Sequence, residues 1–374
     1  MYYRNLNSAE KKQLTDLLAK IDNSMPYYAG FPPNTAFDYS ELYPFLAYSI
    51  NNLGDPFSAK NNPHSTHEFE CEVLRYMAGL VKAPEDFSGY VTNGGSEGNL
   101  YGLYLARTAH PNGIVYFSEH THYSIIKYLD LLQMPFEKIA SQKNGEMDYQ
   151  DLYNKLKKHH DKPAIIFATL GSTVLGAIDN IALIKKTLEH VSIQKYFIHA
   201  DAAFSGMVLP FVDDPQPFQF PDGVDCFSVS GHKFIGSPIP CGVVLARKEF
   251  TEGITRELGL FLGHRLDSTL SGSRNGITPL FLWYALKRQG DEGFRQLVQQ
   301  GFAKVDYAIH YFKEHGIDAW TNKNSMMVVI PQLSELLLKK WSVPAGFGYS
   351  SLTALPKLTH EMIHEICIDI KGEK

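Results

Sequence analysis

Ser230-Gly231-His232-Lys233-Phe234-Ile235-Gly236 follows the apolar run Asp225-Cys226-Phe227-Ser228-Val229, and upstream His199-Ala200-Asp201-Ala202-Ala203 follows Tyr196-Phe197-Ile198. A lysine at the end of a buried apolar strand is poorly explained by packing, because an ammonium is costly to desolvate. Set between a hydroxyl, an imidazole and glycines, Lys233 has instead the surroundings of a Schiff-base nucleophile. Asp201 ends its own strand in the same way, and the two strands are the centre from which the rest of the fold is read.

Outward from that pair, residues 113–117, 164–168, 196–200, 225–229 and 242–246 are short apolar runs separated by helical or polar segments. Strands apolar on both faces and alternating with helices predict an α/β fold whose mostly parallel central sheet is covered on both sides. Thr173, Asp201 and Lys233 each fall at or just after a predicted strand's C-terminal end, where open sheets of this kind bind ligands. Helices are predicted over 69–80 and from Asn93 onward. After Ser271-Gly272-Ser273-Arg274 the periodicity predicts helices over 279–288 and 293–315, a strand over 325–330 and a closing helix over 360–370. That run makes a smaller α+β C-terminal domain, so the chain divides into an N-terminal helix and arm (1–62), a large domain (63–270) and a small domain (271–374).

The arm is recognised by composition. Leu14, Leu17, Leu18 and Ile21 recur at helical spacing behind a Ser8 cap, and residues 23–64 are rich in Pro, Gly, Asn and Tyr. Such a stretch is expected to lie extended on another surface. The 374 residues are 44% hydrophobic and 20% charged with a net charge of −5, so no basic excess points to nucleic acid. Cys71, Cys226, Cys241 and Cys367 have no metal-type spacing and are expected as buried free thiols. With no apolar segment at the N-terminus resembling a signal peptide and no run long enough to span a bilayer, the expectation is a cytoplasmic protein away from membranes.

Three further stretches complete the chemistry. Thr92-Asn93-Gly94-Gly95-Ser96-Glu97-Gly98-Asn99 reads as a glycine turn entering a helix, whose backbone amides suit a phosphate. His122, in Thr121-His122-Tyr123-Ser124, follows a predicted strand, and a flat imidazole can stack on a pyridine ring. Ala202 and Ala203 let a planar ligand lie close to the backbone. A phosphate cradle, a stacking imidazole, a carboxylate to keep a pyridinium protonated and a lysine nucleophile together fit pyridoxal 5′-phosphate (PLP).

These motifs, with residues 171–179, 236–242 and 271–276, resemble the group II PLP-dependent amino-acid decarboxylases. The histidine decarboxylases of Gram-negative bacteria and the related serine decarboxylases of plants are the branch most similar in these stretches. The resemblance runs from about residue 30 to about residue 330. It implies the fold of type I PLP-dependent transferases, a homodimer with active sites at the subunit interface, and an amino acid as substrate. It also implies that Lys233 carries the Schiff base, Asp201 pairs with the ring nitrogen and His122 stacks on the ring. By the same matching, Gly95, Ser96, Ser230 and His232 serve the phosphate, Thr173 approaches the ring hydroxyl and Ala203 packs under the ring.

One position departs from the family. Its members carry, on a mobile loop after the Schiff-base lysine, a tyrosine that returns a proton to the substrate's Cα. The matching position here is Leu262, and no tyrosine occurs between Lys233 and Ser271. Either His264 or another group donates that proton, or the product is an aldehyde. The leading expectation is decarboxylation of L-histidine to histamine, with serine, giving ethanolamine, as the rival substrate.

Overall fold

The computed structural model describes residues 5–31, 34, 37–58, 63–257 and 266–373. Helix α1 (Ser8–Ser24) opens the chain, capped by Asn7 rather than Ser8: the Asn7 side chain accepts from the Glu10 N–H and the Glu10 carboxylate from the Asn7 N–H. Its predicted apolar stripe is present, yet Leu14, Leu17, Leu18 and Ile21 are all exposed in the single chain. The arm continues through short 3₁₀ turns to strand β1 (Asn51–Leu53), and helix α2 (His67–Leu80) follows.

From there strands and helices alternate: β2 (Ser88–Thr92), α3 (Gly95–Ala109), β3 (Ile114–Ser118), α4 (Ser124–Leu132), β4 (Phe136–Ile139) and α5 (Tyr149–Lys158). Next come β5 (Ala164–Thr169), α6 (Ile181–His190), β6 (Tyr196–Asp201), β7 (Cys226–Ser230), β8 (Gly242–Ala246) and α7 (Lys248–Thr251). Seven of these strands form one sheet in the order β2-β8-β7-β6-β5-β3-β4. All pairings are parallel except those of β8, which runs antiparallel to both β2 and β7. The link from β7 to β8 is too short for a parallel crossover, which needs a dozen residues or more. That link is the loop carrying Lys233.

Two edge strands, β2 and β4, are absent from the sequence-based strand set. Ser88-Gly89-Tyr90-Val91-Thr92 has a serine, a glycine and a threonine among its five residues and so lacks an apolar run, although it is wholly buried. Phe136-Glu137-Lys138-Ile139 carries charge, as edge strands do to stay unpaired on their free side, and so lacks the apolar run that marks the others.

The chain then forms the short pair β9 (Arg256–Glu257) and β10 (Leu266–Asp267), and β11 (Ser273–Asn275), which pairs antiparallel with β1. Helix α8 (Thr278–Glu314) breaks at Gly290 (φ 59°, ψ 179°), between the two helices read from the sequence. The small C-terminal part adds β12 (Met327–Pro331), α9 (Glu335–Trp341), β13 (Ala345–Gly346), β14 (Tyr349–Thr353) and α10 (His360–Gly372). Its sheet is antiparallel, β12-β14-β13, where one strand was expected. Serines at 350 and 351 hide β14 from a hydropathy reading, and both are fully buried. The result is an α/β fold with a mixed, largely parallel sheet and a smaller α+β part.

A buried ion pair locks the start of the large sheet to the arm. Glu70 on α2 meets Arg274 on β11, and its carboxylate also accepts from the Val91 N–H (2.8 Å) and from Asn52 Nδ2 on β1 (2.7 Å). All four cysteines are buried and free. Among the described residues no helix is long and apolar enough to cross a membrane.

Candidate active site

Nine of the ten site residues read from the sequence line one cavity of about 280 Å³ at the C-terminal ends of the parallel strands. The tenth, His264, lies outside the described residues, as does Leu262.

Helix α3 supplies the first wall. Gly94 takes φ +147°, a conformation that favours glycine, and turns the chain from β2 into the helix. The first-turn amides of Gly95 and Ser96 have no intrahelical acceptor, so they and the helix dipole favour an anion. A Cβ on Gly95 would come within 2.6 Å of Ser230 Oγ, which explains the bare backbone there.

The β7–β8 loop supplies the second wall. The Ser230 N–H donates to the Ala203 carbonyl (3.0 Å) and the Gly231 N–H to the Cys241 carbonyl (2.8 Å), so the loop is tied at both ends. His232 Nδ1 lies 3.0 Å from the Cys241 carbonyl oxygen. Lys233 is half-buried, and desolvation lowers its pKa, with Asp201 opposing part of the effect. An amine held in that state is a better nucleophile at neutral pH than a solvated lysine.

His122 sits after β3 with Nδ1 2.7 Å from Ser124 Oγ. Burial, then the Lys233 and Lys127 charges, lower its pKa, while Asp201 raises it, so the imidazole is neutral near pH 7. Thr173 rides on a tight turn closed by the Gly171 and Ser172 N–H groups, which both donate to Ala177 (2.9 Å each). From behind, the small C-terminal part braces that turn: Asn322 Nδ2 donates to the Leu175 carbonyl at 2.8 Å.

Sequence reasoning missed two residues. Asn99 lies one turn along α3 from Gly95 and Ser96, and its Nδ2 donates to Asp201 Oδ2 at 2.8 Å. Helical spacing from the phosphate-type turn was the signal that could have found it. Asn34, from the arm, donates its backbone N–H to the Lys233 carbonyl (3.1 Å) and its Nδ2 to the Phe234 carbonyl (2.9 Å). Nothing in the local pattern around residue 34 announces that contact, which joins positions 200 apart.

The arrangement fits PLP. A half-buried primary amine and a carboxylate face the same cavity as an amide-lined cradle, which is the donor set that an aldehyde-bearing pyridine phosphate requires. Comparisons with known proteins agree. Residues 34–330 match the family model described as the pyridoxal-dependent decarboxylase conserved domain. The histidine decarboxylase of Morganella morganii is 48% identical over 333 residues, covering 88% of each chain. That of Pseudomonas entomophila is 42% identical over 367 residues, 97% of this chain and 91% of the relative.

Among solved structures, L-methionine decarboxylase from Streptomyces sp. 590 superposes with a TM-score of 0.86 at 20% identity, covering 98% of this chain and 96% of that one. Glutamate decarboxylase of Lactobacillus brevis gives 0.79 at 18% identity, covering 100% and 93%. These two likenesses concern the fold, which is that of type I PLP enzymes. The resemblance drawn from the motifs is borne out, and the chain belongs to the pyridoxal-dependent decarboxylases, enzymes that remove the carboxyl group of an amino acid with PLP as cofactor.

Proposed function

We propose that the amino acid is L-histidine and the products are histamine and CO2. The observation that carries this reading is the identity of 42 to 48% with histidine decarboxylases over most of both chains. PLP, when bound, supplies the electron sink that takes up the pair left behind as the carboxyl group departs.

The chain's own residues do the rest. Lys233 Nζ would hold the cofactor covalently and supply the amine that its aldehyde needs. The Asp201 carboxylate holds the proton on the ring nitrogen. His122 would stack on the ring and orient it, and Ala203 would pack under it. Gly95, Ser96, Ser230 and His232 bind the phosphate, and Thr173 meets the ring hydroxyl. His264 donates the proton to the substrate's Cα.

The active unit we propose is a homodimer in which the arm crosses the subunit boundary. Leu14, Leu17, Leu18 and Ile21, together with Tyr43, Leu46 and Tyr48, are exposed in the single chain and need cover. The division at residues 62 and 270 and a cytoplasmic location are part of the same reading, the latter supported by four free buried thiols.

The missing loop tyrosine favours one second reading. Without a prompt proton donor, molecular oxygen accepts the electrons, and water completes the products: aldehyde, ammonia, hydrogen peroxide and CO2. A screen of purified holoenzyme against the standard amino acids, reading CO2, amine and peroxide together, decides between them. Histamine and CO2 in equal amounts from L-histidine is the expected result. Peroxide matching CO2 selects the oxidative reading, and turnover of another amino acid alone overturns the substrate.

A further inference from the structure

We propose that Asn99 is a positioning residue that fixes the plane of the Asp201 carboxylate, and that His199 and Ser228 set Asn99 for that task. The inference rests on the reading of Asp201 as the partner of the cofactor's ring nitrogen.

The amide orientation follows from its neighbours. Asn99 Nδ2 donates to Asp201 Oδ2 at 2.8 Å, and on its other side Oδ1 lies 2.5 Å from Ser228 Oγ and 2.9 Å from His199 Nε2. A flipped amide would turn an oxygen toward a carboxylate. Because Oδ1 only accepts, the hydroxyl and the imidazole both donate to it, and His199 therefore carries its proton on Nε2.

The imidazole is held in that form by its surroundings. His199 is fully buried, its Nδ1 makes no hydrogen bond among the described residues, and a Cβ at Gly102 would stand 2.1 Å from that nitrogen. A proton on Nδ1 would find no acceptor there among the described residues. Burial accordingly pushes the His199 pKa down to about 3, so no positive charge sits behind the site to compete for Asp201.

The consequence is a carboxylate held on two sides. Asp201 Oδ2 is fixed by Asn99, Oδ1 accepts from the Ala203 N–H at 3.2 Å, and the residue lines the cavity. Neutral donors orient the carboxylate without neutralising it. None of the three residues Asn99, His199 and Ser228 is needed to explain packing alone, since an apolar trio of the same volume would avoid burying their amide, imidazole and hydroxyl groups.

The test uses apo-protein titrated with PLP, and the pH midpoint of the visible absorbance change of the holoenzyme. A ring nitrogen that holds its proton less firmly carries less positive charge, so the proton on the Lys233 nitrogen is held more firmly. Asn99→Ala should therefore weaken PLP binding about tenfold and move the absorbance midpoint up, as loss of one charge-assisted hydrogen bond predicts. Ser228→Ala, which removes a hydroxyl bonded to Asn99 and leaves the backbone pairing of residue 228 with Asp201 in place, should move both in the same direction by less. Should Asn99→Ala fail to fold, Ser228→Ala carries the decision alone. Asp201→Asn is the reference: if it moves the midpoint and Asn99→Ala and Ser228→Ala do not, the positioning role is wrong while the Asp201 reading stands. If Asp201→Asn also leaves the midpoint unmoved, both readings fall.

Discussion

The backbone N–H of Asn34 donates to the carbonyl of Lys233 at 3.1 Å, so a residue of the N-terminal arm clamps the loop that carries the candidate nucleophile. Its side chain adds a second bond to the Phe234 carbonyl at 2.9 Å. The loop is therefore held between β7 and β8 at its ends and by the arm at its middle.

Asn34→Ala removes the side-chain bond and leaves a buried carbonyl without its donor, at a cost of about 1–3 kcal/mol. Thermal unfolding should show the loss, and PLP should leave the variant faster on dialysis. Gly236→Ala is the harsher change: Gly236 has φ +83°, and a Cβ would meet the Asn34 carbonyl oxygen at 2.2 Å. The left-handed backbone alone adds about 1–2 kcal/mol, and a backbone neighbour cannot swing away. A Gly236→Ala protein as stable as Asn34→Ala would mean the clamp yields freely.

Lys233 should be the residue labelled when the holoenzyme is reduced with borohydride and its peptides are mapped. Desolvation keeps its amine more readily neutral than a solvated lysine, and only a neutral amine attacks an aldehyde. Lys233→Ala should lose the visible absorbance band while still binding PLP weakly. A phosphopyridoxyl group on any other lysine ends the assignment.

Much of the fold was legible because the five inner strands are apolar on both faces, and such runs are hard to mistake. Edge strands β2 and β4 and the hairpin of β13 and β14 were not, since their residues are small, polar or charged, or turn on Phe347 and Gly348, both at positive φ. The candidate site was legible where chemistry dictates residue type at a strand end, as at Asp201 and Lys233. Asn99 and Asn34 were hidden for a different reason. An asparagine has no pattern of its own, and its role arises only when tertiary structure brings a carboxylate or a carbonyl against it.

Arg274 and Glu70 should behave as an unequal pair. Both are buried, and Arg274 also gives its Nη2 to the Gly54 carbonyl at 2.8 Å. Arg274→Met strands the Glu70 carboxylate without a cation, which costs about 3–5 kcal/mol in comparable buried pairs. Glu70→Gln added to Arg274→Met removes the stranded charge while an amide oxygen still accepts from Val91, so the double variant should recover part of the loss in urea unfolding. A double variant weaker than Arg274→Met would show that the carboxylate matters for its two other bonds and not for the ion pair.

The His199 imidazole predicts an acid-labile fold with a stated sign. Its pKa is depressed from 6.5 to about 3 by burial, so between those values the unfolded chain binds a proton that the folded chain refuses. The stability this group contributes is complete above pH 6.5 and is lost progressively as the pH falls toward 3. Each tenfold difference in proton affinity between the folded and unfolded chains is worth about 1.4 kcal/mol, so the loss reaches a few kcal/mol across the window. His199→Asn keeps a donor within reach of Asn99 but has nothing to protonate. Its urea unfolding free energy should fall less steeply than that of the unsubstituted protein between pH 6.5 and 4, although it starts lower at pH 8. Parallel slopes for the two proteins would mean that His199 is already charged in the fold, with a proton on Nδ1 as well as on Nε2, and the neutral imidazole behind Asn99 would be wrong.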